Sequence, residues 1–138
     1  MKKYLIIILL LTLISCTKKN LNSPLATIVK LQSAQEVKDY EEAVKYIDVN
    51  KTYSRCKKVG IKPYDCWVSY VNFSYNFGRA DKKFTNRFGY YNYDIKEFIN
   101  GDKSTVEFIS LSRKKKEIIY SLDLIKQNWI VVGIEYIK

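Results

Sequence analysis

At 138 residues the chain is long enough for one domain with a genuine core and too short for two. It carries a formal net charge of +10 and no histidine. The missing histidine excludes a Ser-His-Asp triad and histidine-based metal catalysis, and no internal repeat or low-complexity tract points to an array or a disordered chain.

The chain opens on Lys2 and Lys3, followed by the apolar run Leu5 to Leu11 and then Leu13-Ile14-Ser15-Cys16. A charged start, an apolar stretch of about ten residues and a small residue before a cut describe a secretory signal; a spanning helix needs about twenty apolar residues. The Leu-Ile-Ser-Cys ending resembles the bacterial lipoprotein box, in which a peptidase cuts before the cysteine once its sulfur carries a diacylglycerol. That resemblance implies a signal peptide over residues 1–15 and a lipidated Cys16, with palmitate-type chains holding an exported protein to a membrane of the bacterial cell envelope, periplasm included. One acyl chain binds reversibly, whereas a diacylglycerol plus an amide-linked chain is effectively permanent. The plainer alternative is an ordinary signal peptide that happens to contain a cysteine, or an uncleaved anchor. Residues 16–23 then read as the lipidated cysteine and a short polar tether, and residues 24–138 as a single domain.

Ser23-Pro24 is a helix start, with serine as N-cap and proline at the first helical position, where its missing N–H costs nothing. Leu25, Ile28 and Val29 make an apolar stripe at helical spacing. A second helix starts at Asp39, with Glu42 as its capping-box partner and Tyr40, Ala43, Val44 and Ile47 along one face, and it should end near Asp48 to Asn50.

The middle is basic and aromatic. Lys51 to Arg87 holds nine basic residues against Asp65 and Asp81. Basic patches with interleaved aromatics can bind single-stranded nucleic acid, but an exported, tethered protein meets nucleic acid rarely. No nucleic-acid partner is expected, and the charge suits an acidic protein or an anionic envelope component. Cys56 and Cys66 remain as an even pair in a compartment that permits disulfides, which favours a bond between them. Two separate thiols are the alternative. No metal is expected, since two cysteines without histidine do not complete a zinc site. Residues 63–77 read as a helix from Pro63 to a stop at Gly78, with Trp67, Tyr70, Val71 and Phe77 on one side. The same letters also alternate as a strand would, and the helix is favoured because the run is longer than a usual strand.

From Gly89 onward four strands follow: Tyr90 to Ile99, Thr105 to Leu111, Ile118 to Ile125 and Asn128 to Ile137. Asn100-Gly101-Asp102 is a hairpin signal read as a type I′ turn, which needs positive φ at both central residues. Ser112 to Lys116 is a basic turn. Helices first and an antiparallel meander last make an α+β class domain, with N-terminal helices packed on a curved sheet of about four strands.

"DYEEAVKYI" at Asp39 to Ile47, "INGDKSTVEF" at Ile99 to Phe108 and "NWIVVGIEYI" at Asn128 to Ile137 resemble small bacterial lipoproteins with a cystatin-like domain of the nuclear transport factor two superfamily. The resemblance implies a cone with a pocket between helices and sheet. Some members are isomerases or dehydratases, and an Asp base with a Tyr oxyanion donor, drawing on Asp94 or Asp123, would be the catalytic alternative for a small apolar ligand. No spacing identifies such a pair. The reading is therefore a non-catalytic binding domain with no cofactor and no catalytic residue. Strand alternation places Val106 and Phe108 on one face, and Ile130, Val132, Ile134 and Tyr136 on another shared face. Glu107, Asp123 and Glu135 fall opposite the apolar faces and should be solvated.

Overall fold

The computed structural model describes residues 22–77 and 89–137. The segment expected to be a signal peptide, Cys16 and the first part of the expected tether lie outside the described residues. So do Gly78 and the basic residues Arg79 to Arg87.

The first helix, α1 (Pro24–Glu36), begins as its cap residues dictate. The Ser23 hydroxyl accepts the Ala26 N–H at 3.0 Å and Pro24 occupies the first turn, so one orphan N–H is satisfied and another does not exist. Ile28 and Leu31 are fully buried, together with Thr27, Ala34 and Gln35. Val29, expected on that stripe, is exposed, because the buried face advances by three and four residues from Pro24 and leaves position 29 outside it. The helix stops where Lys38 takes a left-handed φ of 60° and the Asp39 N–H closes back on the Ala34 carbonyl at 2.9 Å.

The single helix expected from Asp39 to about Asn50 is broken in two. Helix α2 (Tyr40–Ala43) is capped by Asp39, whose carboxylate accepts the Glu42 N–H at 3.0 Å. The chain then leaves helical geometry so that Ile47 can form a parallel bridge with Val131. The Val131 N–H donates to the Tyr46 carbonyl at 2.9 Å, and the Asp48 N–H donates to the Val131 carbonyl at 2.8 Å. Two bonds to an otherwise open strand edge outcompete the continuation of one short helix, whose interior is marginal without packing. Ala43 and Ile47 are buried as expected, while Val44 is exposed. Helix α3 (Val49–Thr52) restarts on Asp48, which caps the Lys51 N–H at 3.0 Å.

A 3-10 turn, Ser54–Val59, leads to Gly60 at φ 78° and then to α4 (Pro63–Phe77). Residues 63–77 are helical, as the longer-run argument favours. Trp67 and Val71, four apart, are both fully buried, whereas Phe73, which a strand would place beside Val71, is 67% exposed. Tyr40 and Tyr64 pack edge-on against Trp67, with ring centroids at 5.4 and 5.5 Å.

Four strands follow a 3-10 turn at Tyr90–Asn92: β1 (Tyr93–Asn100), β2 (Lys103–Ser110), β3 (Lys116–Ile125) and β4 (Asn128–Tyr136). They pair antiparallel in sequence order, giving an open four-stranded meander. The helices cover one face of it, a two-layer α+β arrangement. Ser104, Val106, Phe108 and Ser110 of β2 point inward in strict alternation, meeting Ile118, Tyr120 and Leu122 of β3 and Trp129 and Val131 of β4.

Two expectations about the sheet are corrected. Asn100 stays in the ladder opposite Lys103, so the turn residues are Gly101 and Asp102, and of the two only Gly101 has positive φ, at 61°. That is the pattern of a type II′ turn, which wants glycine first. Positive φ at both central positions occurs instead in the β3–β4 hairpin, at Lys126 (47°) and Gln127 (66°). The alternation of β4 is also interrupted. Ser121 faces Gly133 while Leu122 faces Val131, leaving Val132 as the extra residue of a bulge. The inward set is therefore Trp129 and Val131 before the bulge and Ile134 and Tyr136 after it, rather than Ile130 to Tyr136 in step.

Candidate binding grooves beside the last strand

Strand β4 lies at the edge of the sheet, and its two halves are treated differently. At Val131 the edge is covered by the Tyr46 to Asp48 segment, and the Thr52 hydroxyl reaches the same carbonyl at 3.4 Å. Beyond the Val132 bulge no bridge to that segment continues among the described residues. A groove of about 590 Å³ opens there, with Lys51, Thr52, Ser54 and Arg55 on one wall and Val132 to Tyr136 on the other. Among the described residues no ion pair engages Arg55. Lys51 reaches Asp123 at 3.3 Å.

Tyr136 is part of the lining of this groove. Half of its surface is exposed, yet its hydroxyl end is turned into a cluster with Tyr53, Tyr70 and Tyr120, and the rings of Tyr70 and Tyr136 lie 5.9 Å apart. Removal from water first, and the neighbouring Tyr120 and Tyr70 next, hold that hydroxyl far above the usual tyrosine range. Deeper in, Gln32 donates to the Tyr120 hydroxyl at 2.8 Å and accepts from the Tyr90 hydroxyl. Gln32 thus ties Tyr120 to Tyr90, whereas the buried Trp67 Nε1 and the Ser104 hydroxyl have no hydrogen-bond partner among the described residues.

A second groove, of about 340 Å³, lies beside the start of α1 and is lined by Asn22, Thr27, Lys30, Lys45, Tyr46, Asn128 and Trp129. The Lys30 ammonium sits 6.0 Å from the Tyr46 ring centre. Glu42 holds the other cation: hydrogen bonds from Lys45 first, and Tyr46 second, keep its carboxyl below the usual range.

Cys56 and Cys66 are joined by a disulfide, with their Cα atoms 6.4 Å apart. The carboxylates proposed for the catalytic alternative lie elsewhere than the core. Asp94 is exposed on the outer face of β1, 3.9 Å from Lys96. Asp123 sits on the outer face between Lys103 at 2.9 Å and Lys51 at 3.3 Å, and these lysines, Lys103 foremost, lower its pKa. The hydrogen bonds between a tyrosine hydroxyl and a carboxylate among the described residues are Tyr46 to Glu42 and Tyr93 to Glu117 at 3.2 Å.

The expectation that Glu107 and Asp123 are simply solvated is corrected. Each side chain is 16% exposed and ion-paired, Glu107 with Lys116. Cross-strand neighbours on a sheet face lie close enough for long lysine side chains to cover an acid. Glu135 is exposed. Sequence reasoning did not find the groove at Arg55 and Tyr136. The signal was present in Gly133, since an isolated glycine inside a strand pattern marks a bulge.

Among the described residues no cluster of three or more Cys, Asp or Glu side chains converges as a metal site, and no helix is long and apolar enough to cross a membrane. No family model matches the chain, and neither does any curated protein or solved structure.

Proposed function

We propose that this chain is an exported bacterial lipoprotein, anchored through lipid on Cys16, whose domain acts by binding rather than by catalysis. Its groove between α3 and β4 takes an acidic segment of a protein or an anionic envelope component. The helices-then-meander order supports reading the domain as cystatin-like, of the nuclear transport factor two superfamily.

The observation that carries the binding reading is what occupies the space between the two layers. Trp67, Val71, Val106, Phe108 and Val131, each fully buried, fill it with side chains, and Gln32 and Tyr120 satisfy each other there. General acid-base chemistry without histidine needs a carboxylate or lysine tuned by burial. Asp94 and Asp123, the acids on which the catalytic alternative draws, sit on the outer face beside lysines. The recognition chemistry is at the surface instead, where Arg55 offers a planar fork for a carboxylate or phosphate and Thr52, Ser54 and Ser121 supply hydroxyls around it.

A photo-crosslinking residue placed at Ser54 in the membrane-anchored chain should give one adduct of discrete mass that disappears in Arg55→Glu. A ladder of adducts insensitive to Arg55→Glu would refute the groove as a binding site. Anchoring is read separately: labelled fatty acid should enter the wild-type chain and not Cys16→Ala, and equal processing of the two would refute the lipoprotein reading.

A further inference from the structure

The loop between the two disulfide cysteines carries an unusual combination of side chains for an exposed turn. It reads Lys57-Lys58-Val59-Gly60-Ile61-Lys62-Pro63-Tyr64-Asp65. Val59 is 72% exposed and Ile61 47% exposed, with Tyr64, also about half exposed, one turn further on. The loop has a defined shape. The Gly60 N–H donates to the Lys57 carbonyl at 3.2 Å and the Ile61 N–H to the Cys56 carbonyl at 3.0 Å, with Gly60 in the left-handed conformation at φ 78°. The Cys56–Cys66 bond fixes its two ends, and Pro63 starts α4 inside it.

Two aliphatic side chains held outward at the tip of a stapled turn are not there to complete the core, and three lysines ring them. Among the described residues none of Lys57, Lys58 and Lys62 has an ion pair. We infer that this loop is a membrane-contact element that lays Val59 and Ile61 into the headgroup boundary of an anionic bilayer while Lys57, Lys58 and Lys62 bind its phosphates. Apolar burial and attraction to anionic lipid add in such interfacial contacts, and tyrosine suits the interface at headgroup depth.

The choice of a bilayer as occupant rests on the proposed anchoring at Cys16. Six residues separate Cys16 from Ser23, and at about 3.5 Å per residue they span roughly 20 to 25 Å. The domain therefore stays within about its own diameter of the bilayer, at high effective concentration. Such a tether does not select the face that touches; surface chemistry does. The competing basic turn is weaker on each count. Arg113 is paired with Glu117 and Lys116 with Glu107, and the turn offers Leu111 as its single exposed aliphatic.

The test uses the chain from residue 16 onward with Cys16→Ser, so that no lipid contributes, and sedimentation with vesicles of phosphatidylcholine alone or with about one third phosphatidylglycerol. The parent should favour the anionic vesicles. Replacing Lys57, Lys58 and Lys62 together by Gln should weaken that binding by up to a hundredfold, about fivefold per lysine. Val59→Asp with Ile61→Asp should weaken it at least tenfold while the unfolding midpoint stays that of the parent. Equal binding to both vesicle types, or parental binding by both loop variants, overturns the proposal. So does loss of binding in an Arg113→Gln, Lys114→Gln, Lys115→Gln chain that keeps the loop intact. Failure of fatty-acid labelling at Cys16 would remove the anchor and leave the vesicle result standing, so the two readings fail separately.

Discussion

From Tyr93 to Tyr136 each strand pairs with the strand next to it in sequence, whereas from Tyr40 to Val59 the chain breaks into two four-residue helices and a 3-10 turn. The sheet region is held by a continuous ladder and one inward face of apolar side chains. The short-helix region is held at discrete points: carboxylate caps at Asp39 and Asp48, the bridge of Ile47 to Val131, and the disulfide. A four-residue helix cannot supply its own stability, since nucleation outweighs its few internal bonds. Such a segment keeps its shape only while its fixings hold, and the exposed basic groove and loop are built on it.

If that contrast is right, the largest loss should come from the sheet's inward face. Phe108 is fully buried and its ring meets Tyr93 edge-on at 5.8 Å and Tyr120 at 5.6 Å. Phe108→Ala should cost about 3 to 5 kcal/mol in urea unfolding. A cost below about 1 kcal/mol would mean the inward face does not carry the fold.

Next comes the disulfide. Closing a ten-residue separation removes enough loop entropy from the unfolded chain that Cys56→Ser with Cys66→Ser should cost about 2.5 to 3 kcal/mol. Hydrogen exchange should then rise first in residues 54–62 and leave β2 and β3 protected. Uniform exchange across both regions would erase the distinction drawn here.

Asp48→Ala removes the cap that restarts α3, at about 1 kcal/mol, and should lower Tm slightly while disturbing the wall that carries Lys51 and Arg55. An unchanged Tm would show that the bridge to Val131 alone holds this turn. A gain is expected at the β3–β4 turn, where Gln127 holds φ 66° without being glycine. Gln127→Gly should stabilise by up to about 1 kcal/mol, because the left-handed penalty exceeds the added freedom of the unfolded chain. A loss there would show the side chain to be doing something the backbone does not record.

The smallest effect is electrostatic. The Lys103 and Lys51 ammonium groups depress the Asp123 pKa, so its ionised form is favoured in the fold. Its contribution is fully present above the unfolded carboxylate pKa of about 4 and fades as pH falls through the lower folded value. Asp123→Asn should cost up to about 1 kcal/mol at neutral pH, and the two proteins should converge in stability below pH 4. A difference that persists in acid would assign the effect to packing.

Local chemistry carried a large part of this architecture. Ser23-Pro24 marks a helix start on any chain, the length of the run from Pro63 to Gly78 favours helix over strand, and the run Ser104 to Ser110 alternates cleanly enough to set its own inward face. Each depends on neighbours within a short stretch of chain, and the amino-acid order contains them. The break after Ala43 depends on Val131, far along the chain, whose open edge recruits Ile47 and Asp48. The turn type at Gly101 was decided by Asn100 staying paired with Lys103, and the groove at Arg55 by how α3 and the 3-10 turn meet β4 beyond the Val132 bulge. Strand register and edge pairing are agreements between segments, so no local window holds them, and only the folded chain settles where the groove opens.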